Sequence, residues 1–446
     1  MSIYSGKHGL AYLAALLLFV GQLAVAQESE TVEEADSADE ATITEEAEAT
    51  DSDSLANLPR LATPGSVAGQ QAEDASITQS LTGVSFGESY TNWKNGLIED
   101  HGLNITVDYN STILTASNTL NDEDTFAGGV IRFFGQWDVT GKDSGNTGSL
   151  IWKVENRHRY TDTAPNGVKT EIGYIGLISP TFSNIQNRMT NLYWKQLLKG
   201  GRIEIAAGFI DTTDWIDVYI LAPPWTAFSN FAFATGSATI APPDEAAIGA
   251  YFNAMLTDKV YIMAGFADSN ADSTDPFNGF DTFFNDHEFI KTIEIGIIPS
   301  QEYFYLDNTH VTLWHTDERE EAGVDSGWGA SFSWSKAYKD NKVMPFVRGG
   351  YANEGGTFLQ KSLSAGFAFH YGRSDSLLGV GVNWGQPNED TFGPGLDDQY
   401  GVEVFTRLQV TKQFQLSPML HYIRNPALND EHDDSWVFGL RARLFF

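Results

Sequence analysis

From residue 103 to residue 446, apolar and polar positions alternate in short runs. In LNITVDY, Leu103, Ile105, Val107 and Tyr109 oppose Asn104, Thr106 and Asp108. IRFFGQWDV sets Ile131, Phe133, Trp137 and Val139 against Arg132, Phe134, Gln136 and Asp138, and LIWKVENR sets Leu150, Trp152 and Val154 against Lys153, Glu155 and Arg157. A period of two is that of a β-strand with one apolar face. Similar runs lie near residues 203–209, 260–266, 311–315, 328–334, 343–351, 363–371 and 402–410, and the chain closes on SWVFGLRARLFF. Turn-forming stretches such as KDSGNTG, DSNADSTDPFNG and GQPNEDTFGPGLDD separate them. All such runs together predict about 16 strands (range about 16–18) over residues 103–446, with no crossover helices, in an all-β, up-and-down antiparallel array.

The residues before this array have a different texture. In YTNWKNGLIEDHG, Trp93 and Leu97 stand at i and i+4, and Gly102 follows. This pattern predicts a short amphipathic helix within an entry segment over 81–102. Residues 27–80 are expected to be an acidic, disordered linker. Their first half, QESETVEEADSADEATITEEAEATDSD, has no aromatic, Lys or Arg residue, and it is too small and too polar to form a plug domain. Lys7 and His8, the apolar run 10–20 and the small residues Ala24 and Ala26 before Gln27 predict a secretory signal peptide over 1–26.

An exported strand array can be a soluble sandwich or a membrane barrel, and its polar face decides between them. Arg202, Glu204, Arg348, Glu403, Arg407, Arg441 and Arg443 recur opposite the apolar face. A transmembrane barrel turns its apolar face to lipid and its polar face to an aqueous lumen. The chain is 13% aromatic, and Trp and Tyr at strand ends are what a bilayer interface selects. A final strand ending in Phe446 suits a barrel that closes by pairing its last strand with its first. The reading is a transmembrane β-barrel in the bacterial outer membrane, with lipid as one partner and the C-terminal strand as the handle for the barrel-assembly machinery. A net charge of −32 argues against nucleic acid as a partner, and the absence of cysteine excludes thiolate metal sites. Oxygen donors are dense in DSNADSTDPFNGFDTFFND, but no EF-hand spacing or paired-His motif is present, so no metal or cofactor is expected.

LSPMLHYIRNPALNDEHDDSWVFGLRARLFF resembles the closing segment of the carbohydrate-selective porin (OprB) family, with its strand, Asn-Pro turn and final G-x-R strand. LTGVSFGESYTNWKNGLIEDHGLNITVDYN resembles that family's entry segment, and AGFIDTTDWID and IMAGFADSNADSTDP its central strand-loop segments. The resemblance spans roughly Leu81 to Phe446. It implies a porin admitting glucose and related sugars by passive diffusion.

The lumen face supplies residues suited to that task. Arg441, Arg443, Arg407, Arg348 and Arg157 offer fixed donors to sugar hydroxyls, as does Lys153, while Glu155 and Asp138 accept. Phe134, Phe405 and Phe445 present rings on which a sugar can stack. Mutual pairing that holds the barrel's shape is an equal alternative for any one of these charges. No G-x-S-x-G elbow or other catalytic motif is present, so no enzyme is expected. Two other functions stay open: a general or differently selective porin, and a non-conducting barrel serving as adhesin or hydrolase. Monomer and homo-oligomer also both stay open.

Overall fold

Among residues 63–142, 144–339 and 342–446, which the computed structural model describes, sixteen strands form. They are β1 (Leu103–Ala116), β2 (Thr125–Thr140), β3 (Gly148–Arg159), β4 (Gln186–Leu198), β5 (Ile203–Ile210), β6 (Ala247–Met255), β7 (Val260–Asp268) and β8 (Phe289–Ile297). The second half comprises β9 (Asn308–Thr316), β10 (Gly327–Ser335), β11 (Val343–Asn353), β12 (Leu359–His370), β13 (Leu377–Pro387), β14 (Gln399–Thr411), β15 (Phe414–Arg424) and β16 (Asp434–Phe445). Each pairs antiparallel with its sequence neighbours, and β1 pairs with β16, closing the barrel. Phe446 completes that seam, its N–H donating to the Val107 carbonyl at 2.9 Å. Closure leaves no unpaired strand edge, which a hydrocarbon environment requires.

The alternation is realised as two environments. On β16, Phe438 and Leu440 are each 41% exposed on the outside, while Arg441 is 1% exposed on the inside. Ile293 and Ile295 on β8, Leu313 on β9 and Leu363 on β12 are exposed in the same way. An aliphatic belt of this kind is stable only against lipid. Exposed Trp137 sits near the end of β2, and Trp328 and Tyr400 start β10 and β14, placing aromatics near both rims. The shortest connections, such as 199–202, 256–259 and 412–413, lie at the end holding β1's start, and the longest, 160–185, 211–246 and 269–288, at the other. This asymmetry distinguishes periplasmic turns from extracellular loops.

Two long loops, 160–185 and 211–246, turn inward and pack against lumen-facing side chains. Phe182, Tyr219, Phe228 and Phe233 are buried, and Phe228 packs against Phe233, Phe405 and Phe346 with centroids 4.7, 5.0 and 5.6 Å apart. The loops join where the Ser179 N–H donates to the Ser229 carbonyl at 2.9 Å. Each fully buried ring of this kind contributes about 1.5–3 kcal/mol, enough to hold a loop inside a water-facing cavity.

The N-terminal part differs from expectation. The signal peptide over 1–26 and the linker over 27–62 lie outside the described residues. Within 63–80, however, helix α1 (Val67–Ala75) forms, capped by Ser66, whose hydroxyl accepts from the Gly69 N–H at 3.2 Å. It lies inside the barrel, with Val67 fully buried among Phe134, Ile151, Tyr193 and Trp215. The expected linker therefore does not extend to residue 80, and part of it does enter the lumen. Helix α2 (Glu88–His101) follows and ends on Gly102, at φ 68°, where a Cβ would stand 2.7 Å from the Asp138 carbonyl oxygen.

Candidate functional site

Three groups of lumen side chains are organised around arginines and a lysine. The first lies at the barrel seam. Asp108 on β1 is opposite Arg132 on β2 and diagonal to Arg443 on β16. It accepts from Arg132 Nε at 2.8 Å and from Arg443 Nε at 2.9 Å. Arg443 also donates twice to Asp74 of α1, at 2.6 and 2.8 Å, and Arg407 on β14 pairs with Glu73 of α1. Arg132 additionally covers the Trp225 ring at 3.9 Å and lies 5.2 Å from that of Phe134. Phe445 lies under Arg443 at 4.5 Å.

The second group holds the inserted loop 211–246. Arg441 donates to the Pro224 carbonyl and, at 3.1 Å, to that of Ala227. Arg348 on β11 donates to Ser333 Oγ at 2.7 Å, the Asp217 carbonyl at 2.9 Å and the Ala234 carbonyl at 3.1 Å, besides pairing with the Asp217 carboxylate. Glu403 on β14 accepts the Ser229 and Asn230 N–H groups at 2.8 and 2.9 Å. The planar guanidinium fork suits this task because one side chain can satisfy several loop carbonyls that lack a strand partner.

The third group faces the β3–β5 wall. Lys153 lies 3.7 and 3.6 Å from Asp211 and Asp214, and Asn191 donates to Asp214 at 3.0 Å. Arg157 bridges Glu155 at 2.7 Å and Glu245 at 2.8 Å, and Arg188 pairs with Asp244 and Glu245. Burial, then Asp211 beside it, pushes the Asp214 carboxyl up to about 7 against the pull of Lys153. Asp214 belongs to the inserted loop, outside the spanning strands.

In the pairs of Arg188 and Arg407, water reaches the two signs of charge unequally. The Asp244, Glu73 and Glu245 side chains are 38, 30 and 19% exposed, whereas their partners Arg188 and Arg407 are 1 and 8% exposed. Of the residues proposed from sequence as sugar ligands, Arg441, Arg443, Arg348, Arg407, Arg157, Glu155 and Lys153 are all on the lumen side and all buried against protein partners. Phe134 and Phe405 are buried in packed clusters. Asp138 stands apart near the periplasmic rim, accepting from Gln136 and Ser149 at 2.7 and 2.6 Å. Asp217, Glu294 and His310 are, among the described residues, the set with metal-like spacing. Their oxygens are already engaged by Arg348, Tyr261 and Thr312, which makes the set a hydrogen-bond network. A recess of about 350 Å³ between extracellular loops is lined by Lys169, Tyr174, Phe358 and Phe392 and touches none of these groups.

Residues 78–446 match the model of the carbohydrate-selective porin, OprB family. The chain belongs to this family. It is accordingly an outer-membrane sugar porin. The high-pH structure of Pseudomonas putida OprB is similar to it at 14% identity and a TM-score of 0.64, covering 83% of this chain and 99% of that one. The low-pH structure of the same protein gives 12% identity and a TM-score of 0.48, covering 83% and 100%. A Rh. blastica porin mutant gives 11% and 0.48, covering 77% and 100%. No curated protein matches significantly. The porin family matched here begins at residue 78, so α1 precedes the matched region.

Sequence reasoning missed Glu73, Asp74, Asp108, Asp217 and Glu245, the carboxylates that engage the proposed arginines. Asp108 was legible in principle, as a polar-face acid on the strand next to Arg132. Asp74 and Asp217 were not, because they meet Arg443 and Arg348 from segments that strand periodicity says nothing about.

Proposed function

We propose that this porin passes neutral, glucose-like sugars by passive diffusion along the lumen path bordered by Glu73, Asp244 and Glu245. The observation that carries this reading is the unequal exposure of the paired charges. A sugar in transit exchanges its hydration for protein groups, and here it meets carboxylates as hydrogen-bond acceptors. Arg157, Arg188 and Arg407 stand behind them as positioning residues, fixing each carboxylate while cancelling most of its charge. Arg441 and Arg348 act one step further back, by holding the loop that narrows the path. Export through an N-terminal signal peptide completes the reading.

The test is single-channel recording with a panel of sugars. Reversible block of ion current by glucose, weakened in E245Q, supports the proposal. The packed aromatic core inside the barrel favours one rival, a non-conducting barrel, and a purified, correctly folded protein that carries no current would establish it.

A further inference from the structure

We infer that α1 is a selectivity element: an acidic helix lodged in the pore that cancels lumen arginines and narrows the passage. The inference rests on the porin reading above. Three observations lead to it. The helix lies before residue 78, where the family match starts, so its role is not given by that match. Its C-terminal half is fastened to one stretch of the barrel wall. Gln71 donates to the Asn104 carbonyl at 3.0 Å on β1, Glu73 pairs with Arg407 on β14, and Asp74 forms a two-bond pair with Arg443 on β16. The chain then leaves past the neighbouring turn between β12 and β13, where the Thr78 and Gln79 N–H groups donate to Asp375 at 2.8 and 2.9 Å.

The third observation is its relation to the constricting loop. A Cβ on Gly65, just ahead of α1, would stand 3.3 Å from Asp214 Oδ1, and Thr226 of the same loop donates to Glu73 at 3.3 Å. Helix and loop thus pack against each other inside the barrel. The two acids of α1 face two of the lumen's arginines, so their charge sets the sign that a permeating ion meets. Without them, Arg407 would lose its carboxylate partner and Arg443 would keep only Asp108, already shared with Arg132.

The experiment compares three proteins in planar bilayers under a KCl gradient: the full-length porin, E73Q/D74N, and a variant lacking residues 27–77. Deletion of 27–62 serves as control, because it leaves α1 in place. The isosteric pair E73Q/D74N should shift the reversal potential toward anions. Removing α1, whose cross-section with side chains is about 10 Å, should raise conductance about twofold or more relative to the 27–62 deletion. If the larger deletion does not assemble, the isosteric pair still decides. An unchanged reversal potential in E73Q/D74N overturns the inference, as does a 27–77 deletion that conducts like the control. Absence of current in the full-length protein is a different result and strikes at the porin reading itself.

Discussion

Asp108→Ala removes the carboxylate shared by Arg132 and Arg443, and all three side chains are almost fully buried. Breaking a buried pair from one side costs about 3–5 kcal/mol, since the remaining charge stays desolvated without a partner. Two arginines are affected here, but neither is left bare. Arg443 keeps both bonds to Asp74, and Arg132 keeps the Trp225 ring at 3.9 Å. The expected loss is therefore about 3 kcal/mol, at the lower end of that range. Arg202→Ala is the internal comparison: its pair with Asp258 has side chains 40% and 90% exposed, and it should cost less than about 1 kcal/mol. Both variants are to be refolded into lipid and unfolded in urea, with the shift from heat-modified to folded electrophoretic mobility as readout. Equal losses for the two would refute the view that buried charge networks hold the barrel seam.

Leu440 faces lipid midway along β16, so Leu440→Arg should cost about 2–4 kcal/mol and lower the yield of inserted barrel, whereas Leu440→Phe should insert normally. A soluble L440R protein with normal yield would contradict the lipid assignment. Asp214, with its carboxyl near 7, should lose its charge as pH falls from about 8 to about 6. Cation preference should decline over that interval, and D214N should abolish the change; a profile flat until about pH 4 would reject this assignment. Arg441→Ala frees the Pro224 and Ala227 carbonyls, so open-channel current should become noisier as the loop loosens, a change that quiet traces would exclude.

The wall of this barrel is written locally. Each strand alternates within its own few residues, so IRFFGQWDV or SWVFGLRARLFF declares its lipid face without reference to any other segment. The lumen is written between distant segments. Arg348 and Arg441 were recognisable as lumen residues from alternation alone, yet their task depends on loop 211–246, whose packing no local period encodes. Helix α1 escaped notice for a related reason. SVAGQQAEDA has few apolar residues, and only Val67 and the Ser66 cap mark it as a helix; its burial comes from Arg407 and Arg443, which lie more than three hundred positions away in the chain. The local signal that could have found it is the N-cap serine.

Sugar passage is tested most directly by the conductance of single channels of the full-length protein as glucose is titrated. The geometry predicts a narrow, weakly cation-preferring channel whose current glucose blocks in a saturable way, with the block reduced by neutralising Glu245 or Glu73. Current that falls only in proportion to bulk solution conductivity, for the native protein and both variants alike, would mean that these carboxylates do not meet the sugar.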